Sequence, residues 1–380
     1  MQNYLGNPEN YDPDKVNVLR GQKRIRGIAN LEKAIFSLEY VAQVKDHGLD
    51  FVFKGGSAVQ ILLGDEWNRL SVDADICANT TKEELLEILG SINMKFGGDY
   101  YSFTERNTSV AGPFVSYRIR TPIITDIQRS ILLDVQLVTP NYTTQETKLE
   151  SFFFKSDISV KTPTIASILG DKLSVIGPNT SGRTLDSSQN GLEYAKHFYD
   201  INSLTKLPTK FNETKETYLD IVKKQSKIRE EEFQYEDCIA DALFTCNIAS
   251  LPQGYGSALI SSSTIEKERG ISEFENLQSG LTEFRPFLVN EMIYTWDELR
   301  KFASNTTLLL EQIRRNITAE QADKIQRIDP VVDEGIEYVT KKIQAVDEKD
   351  RWFIDLEEIQ AFPEVLNSLY KTFYFDELIG

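Results

Sequence analysis

The sequence predicts an α+β protein, with a small mixed sheet and helices in its N-terminal half and a mainly helical C-terminal half. Three observations carry that prediction. Short apolar runs bounded by turn formers alternate with helical patterns up to about residue 200. From about Thr214 onward the apolar spacing is mostly helical, broken by the low-complexity stretch LPQGYGSALISSST at 251–264. The length of 380 residues, against roughly 100–200 per domain, favours two domains, and the boundary is placed near residues 207–213, giving 1–210 and 211–380.

The elements follow in order. Apolar positions recur at helical spacing from Ile25 to Val44, His47 and Gly48 end that helix, and FVF at 51–53 is a short strand. Gly55-Gly56-Ser57 follows at once and leads into a helix over 57–63, and RLSVDADI at 69–76 reads as a strand. Thr80-Thr81-Lys82-Glu83 reads as a capping box for a helix through Ile88. Strands are expected from Tyr101 to Thr104, Phe114 to Arg120 and Ile131 to Val138. Residues 163–176 form an amphipathic helix with proline in its first position, and LEYAKHFYDINSL at 192–204 forms another. The Gly- and Ser-rich loops at 177–191 and 251–264 are candidate lids. No internal repeat is seen, which weighs against a solenoid.

The formal net charge is −16, but residues 1–210 carry 23 Lys+Arg against 25 Asp+Glu and residues 211–380 carry 19 against 33. The acidity therefore belongs to the second half, and a nucleic-acid partner for the first is not excluded. Arg20, Lys23, Arg24 and Arg26 form a local basic cluster that can meet phosphates or stand as a solvated helix start. Three cysteines without CxxC spacing argue against a disulfide framework and a zinc site, and with two histidines any metal is expected on oxygen ligands. The polar start MQNYLGNPENYDPDK and the lack of a run of about 18 apolar residues point to a soluble, cytoplasmic chain with no membrane partner.

The chemistry gathers in four places. Within a strand Asp73 and Asp75 point to one face while Val72, Ala74 and Ile76 point to the other. Two carboxylates so close repel unless a positive charge sits between them, and a hard divalent cation is the usual solution. Asp134 interrupts the apolar strand ILLDVQLV, where a buried carboxylate needs a metal or an ion pair, with Arg118 or Arg120 as alternative partners. The glycine turn between strand and helix, Gly55-Gly56-Ser57, is suited to receive an anion on backbone N–H groups and a hydroxyl. Turn, DxD and later acid in this order suggest metal-dependent nucleotidyl transfer. Lys172 falls inside the apolar arc of its helix, so its ammonium meets either an anion such as a triphosphate or a carboxylate such as Asp200. Lys196 and Asp200, four residues apart, form a possible surface pair.

FKGGSAV at 53–59, RLSVDADI at 69–76, LLDVQL, GDKLSVI at 170–176 and HFYDINSL at 197–204 together resemble the AbiEii/AbiGii abortive-infection toxins, bacterial proteins with a nucleotidyltransferase fold. The resemblance implies that Gly56 and Ser57 open the nucleotide site, next to Gly55, and that Asp73, Asp75 and Asp134 hold Mg²⁺ (or Mn²⁺). It implies further that Lys172 contacts the triphosphate, that Asp200 completes the catalytic set, and that Lys54, Arg69 and Arg183 are basic residues of the nucleotide site. The family more often has Arg-Asp where this chain has Lys196-His197. Implied too are an NTP substrate, with GTP one expectation, an RNA acceptor with tRNA foremost, a block of growth or translation, and a cognate antitoxin. The alternatives are transfer to a small-molecule or protein hydroxyl, or a non-catalytic NTP-sensing module that binds a partner through the acidic helical half.

Overall fold

The computed structural model describes residues 3–107, 112–125, 127–229, 231–251, 264–328, 332–345 and 363–379. By packing, the chain divides into one unit of Met1–Ile168 with Lys227–Glu231 and Pro286–Ile293, and another of Leu169–Ser226, Glu232–Arg285 and Tyr294–Gly380. Residues 207–210, beside the expected domain boundary, connect two helices of the second unit.

The first unit contains α1 (Pro13–Gln22), α2 (Ile28–Asp46), β1 (Val52–Lys54), α3 (Gly55–Leu63), β2 (Ala74–Cys77), α4 (Lys82–Lys95), β3 (Phe103–Glu105), β4 (Phe114–Arg120), β5 (Ser130–Gln136), β6 (Thr144–Ser151) and β7 (Phe154–Pro163), followed by α5 (Ile165–Ser174), which continues into the second unit. The strands form one mixed sheet in the order β3-β4-β5-β2-β1-β7-β6. Pairs β2–β5 and β1–β7 are parallel and the others antiparallel. Helix α2 lies against β2, β5 and β7 and is buried along most of its length, from Leu31 to Val44. Its Glu39, fully buried, accepts hydrogen bonds from the Leu5 and Gly6 amides (3.0 and 2.9 Å), the Tyr11 hydroxyl (2.5 Å) and Gln43 Nε2 (2.6 Å). Burial pushes this carboxyl up against the four donors, which act to lower it. The N-terminal segment is thereby tied to α2.

The sheet is larger than the expected small one because the hairpin β6–β7 carries little apolar alternation: β6 reads TQETKLES, an edge strand buried at Leu149 and Ser151. Pro163, expected to open a helix, is instead the last residue of β7. The α4 capping box joins Thr81 to Glu84, and the helix runs beyond Ile88 to Lys95. Strand β2 is shorter than expected because the backbone before it is bonded elsewhere: Leu70 N–H donates to the Phe287 carbonyl (2.7 Å) and Ser71 N–H to Gln60 Oε1 (3.0 Å).

The second unit holds α6 (Ser188–Leu204), α7 (Phe211–Arg229, whose last residues belong to the first unit), α8 (Tyr235–Ala249), α9 (Thr264–Phe284), α10 (Trp296–Arg314), α11 (Ala319–Gln326), α12 (Val332–Gln344) and α13 (Pro363–Ile379). Tyr199, Phe284, Tyr294 and Phe302 pack ring against ring with centroids 5.3–6.1 Å apart. Val339, Ile343 and Leu366 form a smaller core where α12 meets α13. Helices α6 and α9 cross at glycines: a Cβ on Gly280 would overlap the backbone of Gly191 and Leu192, and one on Gly191 the backbone of Asn276. Among the described residues no helix is long and apolar enough to cross a membrane. The three cysteines are buried and none forms a disulfide among the described residues.

Gly280→Ala is expected to lower stability by about 1–3 kcal/mol, because two backbones must separate to admit the methyl group. Gly90→Ala, in α4 with nothing within 4 Å of the new Cβ, is expected to raise it by about 0.5–1 kcal/mol. Urea unfolding of the two variants checks both signs.

Candidate active site

Register places the acidic residues of the first unit. Asp75 on β2 stands opposite Asp134 on β5 and opposite Lys54 on β1, and Asp134 stands opposite Ser116 on β4. Residues opposite one another share a face. Ser116, Asp134, Asp75 and Lys54 therefore form one row across four strands, spaced by the ~4.8 Å between strands. Ala74 and Ile76 are buried on the other face. Asp73 lies just before β2, half-buried like Asp75.

The sequence of β5 suggested a strand apolar on both faces and a buried acid. In the structure Ile131, Leu133 and Val135 are buried and Asp134 is half-buried on the opposite face. Its Oδ1 accepts the Ser116 hydroxyl (2.6 Å), which in turn is 3.4 Å from Arg106 Nη1. Arg118 and Arg120, the alternative ion-pair partners, are exposed, and among the described residues Asp134 meets no arginine. No group of three or more His, Cys, Asp or Glu side chains converges as a metal cluster among the described residues. What the strands bring together is a pair of carboxylates, with Asp73 beside it in sequence.

The glycine turn is built around that pair. Gly55 begins α3 with φ +72°, a conformation in which L side chains are strained, and a Cβ there would overlap the Asp75 carboxylate. The Asp75 side chain thus lies at the N-terminus of α3, where the helix dipole favours negative charge. A Cβ on Gly56 would come within 2.6 Å of both Arg69 Nη2 and Ser71 Oγ. Ser57, expected to donate to an anion, donates to the Asp73 carbonyl (2.6 Å). Gln60, one turn on, accepts from Ser71. The side chains of α3 therefore clamp the segment that leads into β2. Arg69 is 2% exposed beneath the turn, its Nη1 donating to the Leu70 carbonyl (3.2 Å) and its guanidinium 5.0 Å from the Trp67 ring centroid.

In the second unit Lys172 Nζ meets Asp200 Oδ2 at 3.0 Å, with the two side chains 7% and 0% exposed. Lys196, which could form a surface pair with Asp200, bonds Glu193 (2.8 Å), and the Asp200 side chain is fully buried. Gly170, in the same helix as Lys172, lets the α7 backbone approach, since a Cβ there would overlap the Thr214 carbonyl. Arg183 is exposed, on a loop whose carbonyl 183 accepts the Tyr194 hydroxyl (2.8 Å). The expected lid at 177–191 is tied down at its start: Asp241 of α8 accepts from the Asn179 amide (2.8 Å) and Thr180 Oγ1 (2.9 Å) and pairs with Arg269 (2.5 Å). Of the other expected lid, residues 252–263 lie outside the described ones.

The family model of the AbiEii nucleotidyltransferase toxin, type IV toxin–antitoxin system, matches residues 39–255, a span that contains every residue named in both units as a site candidate. This chain belongs to the AbiEii toxin family. It is a nucleotidyltransferase of the toxin–antitoxin type, and membership implies an antitoxin partner. Among solved structures it is similar to JHP933 from Helicobacter pylori (12% identity, TM-score 0.41, covering 77% of this chain and 95% of that one). It is also similar to MenT4, a nucleotidyltransferase toxin from Mycobacterium tuberculosis H37Rv (10% identity, TM-score 0.37, covering 78% and 98%). No curated protein matches the chain.

Ser116 and Gln60 are the AbiEii-chain residues that sequence reading missed. Neither type signals a role by itself; each acts through a partner that strand register or helix phase supplies. The oxygen-only pair Asp75–Asp134 fits a Mg²⁺-type ion, which commonly takes one or two carboxylates and completes its shell with water and substrate oxygens.

Lys172→Met is expected to cost about 3–5 kcal/mol by stranding a buried carboxylate, and Lys172→Met/Asp200→Leu to recover most of that loss. Thermal unfolding of the single and double variants checks the pair, whatever the effect on activity.

Proposed function

We propose that this AbiEii-family chain transfers a nucleoside monophosphate from an NTP to the hydroxyl of an RNA acceptor, tRNA foremost, and thereby blocks translation. The observation that carries this reading is the row Ser116–Asp134–Asp75–Lys54 beside the N-terminus of α3. It sets two carboxylates, a cation and a helix N-terminus around one point of the sheet face.

Asp75 and Asp134, with Asp73, are proposed to hold Mg²⁺ or Mn²⁺, which when bound supplies positive charge to the phosphate oxygens. Asp134 is proposed to accept the proton of the attacking hydroxyl, its carboxylate fixed by Ser116. The hydroxyl oxygen forms a bond to the α-phosphorus as the bond to the β-phosphate bridging oxygen breaks, and pyrophosphate leaves. Lys54 and the Gly55-Gly56 turn offset negative charge at the same place. Lys172 is proposed to touch substrate phosphates, Asp200 holding it when no phosphate is present; Arg69 supports the turn and Arg183 belongs to the nucleotide set.

The test is incubation of purified protein with total tRNA, Mg²⁺ and each α-labelled NTP in turn, GTP included. Wild type is expected to label tRNA with one nucleotide preferred, Asp75→Ala to give none, and Asp134→Asn to slow transfer by roughly 10²–10⁴-fold. Absence of label on any RNA with every NTP overturns the reading, and label on a small molecule or protein instead redirects it to another acceptor.

A further inference from the structure

The first unit carries a groove that the site above does not use. It is an open cavity of about 620 Å³ whose walls include Lys23, Ile61, Gly64, Glu150, Phe152 and Lys155. Lys23 Nζ stands 5.1 Å from the centroid of the Phe152 ring. Glu150 has Lys148 within 3.9 Å, whereas among the described residues neither Lys23 nor Lys155 is ion-paired. Glu150 also stands opposite Lys155 on the β6–β7 ladder, so the lining offers two ammonium groups, one carboxylate and a half-buried aromatic ring.

Its position bears on the ligand. Ile61 and Gly64 sit at the C-terminal end of α3, and Gly55 at its first residue. Nine residues at ~1.5 Å each separate the groove from the glycine turn by about 13 Å along one rigid helix, the reach of roughly four nucleotides stacked at ~3.4 Å.

We propose that this groove is a subsite for a single-stranded RNA segment, with phosphates on Lys23 and Lys155 and a base stacked on Phe152. It rests on the RNA-acceptor reading above and adds where the acceptor strand lies, running beside α3 toward the turn. An acidic peptide would use the two cations but gain nothing from the ring. A single strand uses both, since backbone charge and base stacking are its two generic handles.

The test is fluorescence anisotropy of a labelled single-stranded RNA dodecamer and of an abasic dodecamer across a salt series, with polyglutamate as competitor, for wild type, Lys23→Gln, Lys155→Gln and Phe152→Leu. Thermal unfolding of each variant confirms folding, and Phe152→Tyr, which keeps the ring, serves as a rescue. Each lysine change is expected to weaken binding and lower the slope of log K against log salt by about 0.7. Phe152→Leu is expected to weaken the base-bearing strand roughly tenfold while leaving the abasic strand unchanged, with Phe152→Tyr near wild type. Label transfer to RNA with binding unaltered in all three folded variants overturns the subsite alone. Label transfer to a small acceptor with no RNA binding overturns the RNA reading and the subsite with it. Lysine-dependent capture of polyglutamate, without any effect of Phe152→Leu on RNA, overturns it in favour of an acidic protein partner.

Discussion

The parallel register of β2 on β5 sets Asp75 directly opposite Asp134, and the cost of two like charges one strand apart organises what surrounds them. At about 5 Å and an effective dielectric constant of about 20 the repulsion is of order 3 kcal/mol. The fold offsets it locally. Lys54 continues the row on the far side of Asp75, the N-terminus of α3 faces the Asp75 carboxylate, and the Ser116 hydroxyl engages Asp134. Each of these sets a positive charge, a helix dipole or a hydroxyl donor beside one of the two acids. The glycine at 55 follows from the same constraint, because any side chain there would overlap the Asp75 carboxylate.

Asp75 stays in place because α3 holds the chain that leads into β2. Ser57 and Gln60 lie three residues apart, on one side of the helix, and bond the backbone at Asp73 and Ser71. This interaction accounts for the short β2: the Leu70 and Ser71 amides and the Asp73 carbonyl are bonded to residue 287 and to α3 side chains. A serine in a glycine turn can be read as an anion donor, and here its hydroxyl is occupied by the carbonyl of an acid it positions.

How much of this was legible in the sequence depends on range. The alternation in VDADI, the strand–turn–helix around Gly55 and the helical periodicity of the second half are local patterns, and they appear in the structure as β2, α3 and the helices from α6 onward. Register is a property of two strands that pair across dozens of residues, so the row Ser116–Asp134–Asp75–Lys54 could not be read from any one of them. The hairpin β6–β7 escaped because an edge strand faces water and needs no apolar alternation. Asp134 was read as buried because Leu132 looked like a core residue; it is half-buried on the acid's own face.

Lys172 is a residue for which a structural cause stands beside the proposed function. A buried ammonium within 3.0 Å of a carboxylate satisfies its electrostatic need without a ligand, so its place in the apolar arc has a sufficient structural cause. Desolvation makes such a pair costly relative to apolar residues of the same size, and stability alone gives little reason for it. A cation held ready by an acid that a more highly charged anion can displace is one use that justifies the cost. Charges farther away than a Debye length of about 8 Å at physiological salt weigh little on such a competition. Whether phosphate is favoured over carboxylate is therefore decided by the groups within a few ångströms, at Lys172 and in the Lys54 row alike, and the net charge of −16 does not settle which partners the chain accepts.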